Sequence, residues 1–356
     1  MLLLAPSAHA ASTNVTPKIV NGGNASVTDF PFQALLYVTG SDPASPAGHP
    51  ENNGGRFCGG VIRDATHVIT AAHCVYDAFN PGQIDNPADV SVLVGTDDLA
   101  PQDGTAESAA ASSLSFDPNY DPDLSLHDLA LVTLATPLYN TPTAQIAPFS
   151  GFVTNAELEA SSQLTVSGWG DTHSEPGSGS QTPVFLNHLQ SAQVPFVQDQ
   201  TCSSDYTFLD TDLVFCAGDA PGPTIADSCQ GDSGGPIVFD TSTTPSHQYV
   251  LAGLVDSGFG CAQPHFPGIY TRLDNTDLQV WANGNPPGAP SQTNPATIAG
   301  GNQPGDTLTC QPGSWSDSSN LSYQFLDADG DVLGSGQTYT IQASDVGSSI
   351  LCEVKA

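Results

Sequence analysis

Basic side chains are nearly missing from this chain. Its 356 residues include 5 Lys or Arg against 37 Asp or Glu, a formal net charge of −32. Binding of nucleic acid through phosphates needs clustered Lys and Arg, so it is excluded as a function. An anionic membrane surface would repel the chain for the same reason, and no apolar run approaches the roughly eighteen residues of a membrane span. Long helices are excluded too, because 35 Gly and 29 Pro interrupt the sequence. What remains is 38% hydrophobic residues in a chain long enough for about two domains. The charge favours cationic partners, and fits equally a proteome adapted to salt.

Eight cysteines, an even number, allow four disulfides and point to an oxidising compartment. Met1 to Pro6 is apolar, and Ala8-His9-Ala10 has the small-x-small form of a signal-peptidase site. Residues 1–10 therefore read as the remnant of an export signal, and the protein is expected to be secreted and extracellular.

Short β-branched or apolar runs dominate the next 265 positions or so, among them Val61-Ile62, Val68 to Thr70, Val90 to Val94, Leu129 to Leu134 and Leu164 to Val166. Loop-rich stretches at 41–55 and 171–182 separate them, so an all-β fold is expected. A helix is predicted only near the end, over Thr276 to Trp281 with Asn275 as cap. Residues 284–298 form a Pro/Gly-rich linker around Asn285-Pro286-Pro287-Gly288. Alternating runs at 308–310, 321–325, 339–341 and 350–354 follow, around Trp315, with Cys310 and Cys352 as the only cysteines and hence a pair. Residues 299–356 resemble the immunoglobulin-like modules appended to secreted bacterial enzymes, which implies a small β-sandwich; its ligand is not readable. Asp327, Asp329 and Asp331 have a calcium-loop flavour, but Gly330 falls at loop position four, where a hairpin turn is the better reading.

Three separated segments carry chemistry: Thr70-Ala71-Ala72-His73-Cys74, His127-Asp128-Leu129-Ala130-Leu131 and Gly231-Asp232-Ser233-Gly234-Gly235-Pro236. Nucleophilic acyl transfer needs a hydroxyl, a base for its proton, and a carboxylate to hold the base's tautomer. Glycines around the serine let the N–H groups of Gly231 and Ser233 aim at one spot, an oxyanion hole. With all three segments in this order, residues 19–283 resemble a trypsin-type serine protease of the chymotrypsin family. The resemblance implies two six-stranded antiparallel β-barrels, with Ser233 as nucleophile, His73 as general base and Asp128 as its orienting carboxylate. It also implies the bridges Cys58–Cys74, Cys202–Cys216 and Cys229–Cys261. No metal is expected, since Cys-x-x-Cys is absent and the nine His are scattered. His127 adjoins Asp128, and strand alternation would turn it to the surface.

Lys18-Ile19-Val20-Asn21-Gly22 resembles the family's activation junction, making 11–18 a propeptide. Cleavage after Lys18 would free the Ile19 amino group to pair with Asp232. Asp227 falls at the floor of the family's primary pocket, with Gly258 and Gly268 keeping it open, which implies protein or peptide substrates with Arg or Lys at the cleavage site. The pocket wall departs from the family, where Ser-Trp-Gly is usual. Counting inward from Cys261 puts Asp256 in the Ser position and Ser257 in place of the aromatic, whereas a one-residue deletion would make Ser257 the match. An Asp256 close to Asp128 would raise the pKa of His73. Asp97, Asp98, Asp103 and Glu107 crowd the family's calcium loop, yet its usual Glu positions hold Thr96 and Ala106, so calcium is weakly supported and no cofactor is expected. Self-digestion is expected to begin after Arg56, read as exposed. The alternative to an enzyme is a secreted binding protein with a protease-like domain of low turnover.

Overall fold

The computed structural model describes residues 19–45, 55–76, 84–100, 106–139, 151–161, 163–173, 183–206, 208–218, 225–241, 248–283, 292–294, 297–312, 314–315, 322–327 and 332–355. The proposed signal remnant, the propeptide and Lys18 lie outside them. Chain contacts divide the molecule into two units, Met1–Asn283 and Gly284–Ala356.

In the first unit a two-residue strand, β1 (Gly23–Asn24), precedes six strands: β2 (Gln33–Val38), β3 (Arg56–Asp64), β4 (His67–Thr70), β5 (Val90–Val94), β6 (Glu107–Phe116) and β7 (Ala130–Leu134). They close into an antiparallel barrel in the order β2-β3-β4-β7-β6-β5. Ala34, Leu36, Ile62, Val68, Val92, Val94 and Val132 pack together as part of its core. Full burial of each Val, Leu or Ile contributes about 1.5–3 kcal/mol. β6 keeps the two-residue period with small side chains, burying Ala109 and Ala111 between exposed Ser108, Ala110 and Ser112.

A further seven strands follow: β8 (Leu164–Gly168), β9 (Gln190–Val194), β10 (Phe196–Val197), β11 (Val214–Ala217), β12 (Pro236–Asp240), β13 (Tyr249–Ser257) and β14 (Gly268–Arg272). With β1 they form one eight-stranded sheet, β1-β9-β8-β12-β13-β14-β11-β10. The expected second six-stranded barrel is thus a curled half-barrel. Its edges, β1 and β10, are two-residue strands that do not pair with each other, so the ladder stays open. The predicted helix is present as Thr276–Ala282, capped by the Asn275 side chain on the Asp277 and Leu278 amides. Two short helices, Asn155–Ala160 and Asp199–Asp205, were not anticipated.

All four expected disulfides are formed: Cys58–Cys74, Cys202–Cys216, Cys229–Cys261 and Cys310–Cys352. The reading of Arg56 is also overturned. Arg56 is 3% exposed and opens strand β3. Its guanidinium donates to Asn187 Oδ1 and the Leu186 carbonyl, both at 3.2 Å, and lies 5.5 Å over the Phe185 ring. The glycine-rich stretch before Cys58 does not leave it in a loop, so it is no exposed cleavage site.

The second unit carries short ladders: Gln292–Asn294 with Ser314–Trp315, Thr307–Gln311 between Thr297–Gly300 and Thr338–Thr340, and Ser322–Leu326 between Val332–Ser335 and Leu351–Lys355. Leu308, Cys310, Phe325 and Ile341 form its core. Gln292–Asn294 and Thr297–Gly300 start within the stretch read as linker. Leu326 pairs with Val332, while Asp329, Gly330 and Asp331 lie outside the described residues, as does the Trp315 side chain.

Candidate active site

The site is assembled where the barrel meets the curled sheet. At the end of β4 the chain tightens into a 3-10 turn over Ala72–Cys74, pinned by the Cys58–Cys74 bridge, and this turn carries His73. Asp128 sits just before β7, fully buried. Its Oδ1 accepts from the His73 amide at 2.8 Å and its Oδ2 pairs with His73 Nδ1 at 2.6 Å. The carboxylate therefore fixes both the backbone and the ring of the histidine, and leaves Nε2 as the outward nitrogen. The Thr271 hydroxyl donates to the Asp128 carbonyl at 3.0 Å, a support that sequence reading missed.

His127 departs from its expected placement. It adopts φ 57°, so pleat alternation does not apply, and its half-buried ring pairs with the buried Asp117 at 3.1 Å.

Ser233 lies on the 225–235 loop between β11 and β12. Gly231 has φ +93° and Gly234 φ +74°, conformations that L side chains rarely adopt. A Cβ on Gly234 would collide with Thr70 Oγ1, so only glycine lets the residue after Ser233 press against the strand leading to His73. The Gly59 amide donates to the Ser233 carbonyl at 2.7 Å and fixes the loop to the barrel. Among the described residues, the Gly231 and Ser233 amides donate to no protein acceptor, which leaves both for a ligand oxygen.

Beside Ser233 opens a cavity of about 250 Å³, lined in part by Asp227, Ser228, Asp256, Gly258 and Gly268. Asp227 is 2% exposed. Its Oδ2 accepts from the Ala262 amide at 2.8 Å, while Oδ1 has no partner. Burial pushes its pKa up to about 8, against the pull of the Ala262 and Ser228 amides. A Cβ on Gly268 would stand 2.7 Å from Asp227 Oδ1, so any larger residue would cover the carboxylate. Gly258 lies on the wall, where a Cβ would make only ordinary contacts.

Asp232 is fully buried and accepts from the Gly170 amide at 2.8 Å and the Cys229 amide at 3.0 Å. Burial pushes it up to about 7, opposed by these amides and by Arg56. The part played by Gly170 was not readable from its Gly-Trp-Gly setting. Ile19 and Val20 are buried, and the Val20 carbonyl accepts from the Asp227 amide at 3.2 Å.

The ambiguity at the wall has a structural cause. Val255 pairs with Tyr270 and Ser257 with Ile269, so Asp256 is the extra residue of a β-bulge. Asp256 is buried and Ser257 exposed. A ring nitrogen of His73 and carboxylate oxygens of Asp128 and Asp256 all lie within 4.8 Å of one another. Burial lowers the His73 pKa, but attraction and hydrogen bonding to Asp128, with a smaller pull from Asp256, outweigh it and raise the pKa to about 9.

The calcium candidates are not gathered around one point among the described residues. Asp97 takes the Val27 amide at 2.5 Å, Asp98 pairs with His188 at 2.9 Å, and Glu107 takes the Tyr139 amide. Asp103 lies outside the described residues.

A closed barrel and a curled sheet meeting at a histidine–carboxylate pair beside a glycine-framed serine define the class: a serine endopeptidase. Residues 19–281 match the family model described as Trypsin, and the chain belongs to that family. It is 34% identical over 259 residues to Trypsin-1 of Astacus astacus, covering 72% of this chain and 95% of that protein. It is 31% identical over 255 residues to a trypsin of Saccharopolyspora erythraea, covering 72% and 93%. A trypsin of Sus scrofa is 30% identical over 263 residues, covering 74% and 94%. Members of this family act on protein or peptide substrates. No described helix is long and apolar enough to cross a membrane.

Proposed function

We propose that this serine endopeptidase is secreted, is activated by cleavage after Lys18, and hydrolyses peptide bonds following Arg or Lys. The observation that carries the specificity is Asp227, buried at the cavity with one oxygen unpartnered. A guanidinium or ammonium supplies the missing donors and charge, whereas an apolar side chain leaves the carboxyl desolvated and unpaired.

In the proposed reaction Ser233 Oγ attacks the scissile carbonyl while His73 Nε2 takes its proton. Asp128 holds Nδ1–H and stabilises the imidazolium as it forms. The Gly231 and Ser233 amides receive the developing oxyanion. His73 then protonates the leaving amine, and a water molecule repeats the sequence to free Ser233. Activation supplies Asp232 with the Ile19 ammonium; its burial and raised pKa favour gaining a cation. The C-terminal unit, with two three-stranded ladders and one disulfide, is read as an immunoglobulin-like sandwich.

The test is to express the precursor, confirm an Ile19 N-terminus by mass, and measure kcat/KM on matched peptides with Arg, Lys, Phe or Ala before the scissile bond. Preference for Arg and Lys, abolished by Ser233→Ala, is expected. Equal turnover of the Phe peptide would discard the Asp227 assignment, and full activity of the uncut precursor would discard the activation step.

A further inference from the structure

Asp256 is a buried carboxyl that the proposed reaction does not use. It occupies the bulge of β13, is 4% exposed, and neither oxygen has a hydrogen bond of ordinary geometry. Its charged neighbours are few. Asp128 reaches it from the segment before β7 and His73 from the 3-10 turn, all within 4.8 Å. The hydroxyls of Ser257 and Ser125 come near enough to ease its ionisation slightly. Burial first, and then the charges of Asp128 and Asp256, push Tyr120 up, so it stays neutral. No arginine is there to help: Arg56 bonds Asn187, Arg63 pairs with Asp64, and Arg272 with Asp199.

We propose that Asp256 is a positioning residue that shares one proton with His73 across the Asp128 carboxylate, so that the imidazole is released as a base in two steps. The inference rests on the reading of His73, Asp128 and Ser233 given above. A second negative charge in this dry pocket is stabilised only while His73 is an imidazolium, because among the described residues no other cation faces it. When the cluster has lost its first proton, two arrangements carry the same net charge. In one, His73 is an imidazolium and Asp256 is ionised; in the other, His73 is neutral and Asp256 holds the proton. Only the second has a free Nε2 for Ser233. Loss of the remaining proton to solvent at higher pH frees His73 in every molecule. Burial and the Asp128 charge raise Asp256 while His73 pulls it down, which agrees with mutual coupling. The two apparent values then belong to the cluster and not to either residue.

The experiment follows phosphonylation of the mature enzyme's serine by a small fluorophosphonate, a reagent that does not enter the Asp227 pocket, so binding of a substrate cation there does not shape the profile. The second-order rate is measured against pH for the wild type, Asp256→Asn and Asp256→Ser. The wild type is expected to rise over a broader span than one ionisation allows. Both variants should rise as a single ionisation, with a midpoint lower by about one unit, the tenfold change in proton affinity expected on losing the second carboxyl. Each rate is normalised to its own alkaline plateau, which also reports whether the variant has folded; failure of one leaves the other to decide. Variant profiles with the same midpoint and shape as the wild type would overturn the proposal. So would a wild-type profile that is shifted but fits a single ionisation, because Asp256 would then be a fixed charge. Absence of phosphonylation of the mature wild type at any pH would remove the underlying assignment of Ser233 and His73, and the proposal with it.

Discussion

On the barrel side of the cleft, Asp128 accepts hydrogen bonds from both the amide and the ring of His73. On the sheet side, Asp227 and Asp256 are about as deeply buried, yet three of their four oxygens have no hydrogen bond of ordinary geometry. Burying a carboxyl without partners is costly. The barrel side is therefore a finished arrangement that fixes geometry, whereas on the proposed reading the sheet side is completed by a substrate cation or a proton. The distinction is one of function placed on one protein unit, since both sides belong to residues 19–283.

The comparison breaks most visibly if the finished side is undone. Asp128→Asn should keep the fold but lower kcat by about 10⁴-fold, because the amide cannot hold the His73 tautomer; an unchanged kcat would refute the assignment. On the incomplete side, Asp227→Asn should cut the preference for Arg over Ala by about 10²–10³-fold, the scale of a lost buried charge pair, seen as a ratio of kcat/KM values.

The same substitution tests the cost of incompleteness through stability. A carboxyl raised from 3.8 to about 8 by folding contributes stability that is fully present below pH 3.8 and is lost as pH rises toward 8. Without a ligand, the Tm of Asp227→Asn should therefore exceed the wild-type value at pH 9 and match it near pH 4. An equal offset at both values would show that ionisation is not the cause. The smallest effect belongs to the support behind the finished pair. Thr271→Val removes the donor to the Asp128 carbonyl and should cost about 1 kcal/mol in urea unfolding. A loss below a few tenths would make that bond incidental.

Legibility in the sequence followed the same divide between local and distant causes. Val90–Val94 and His67–Thr70 declare themselves through β-branched runs. Glu107–Phe116 does not, because its inward positions hold Ala109 and Ala111, whose small side chains give little hydrophobic period. Asn155–Ala160 has a local signature after all, a Thr154–Glu157 capping box, but is too short for an apolar stripe. Around the site, His73, Asp128 and Ser233 were readable as residue types in order. The Asp256 bulge was not, since an extra residue is visible only once β13 is laid against β14. Arg56 misled for a similar reason: its anchors, Leu186 and Asn187, lie 130 and 131 positions away.

After Ile19 the chain has four basic residues, Arg56, Arg63, Arg272 and Lys355. The first two lie in β3, the third in β14 and the last in the final strand, so each is locked into a hydrogen-bonded ladder. For an enzyme with the proposed preference, these four positions offer no loop to cut. Self-digestion then has to wait for a molecule to open, and while reclosing outpaces cutting its rate is set by the small open population. A substitution that stabilises these strands should lengthen the working lifetime in proportion, with no change at the active site.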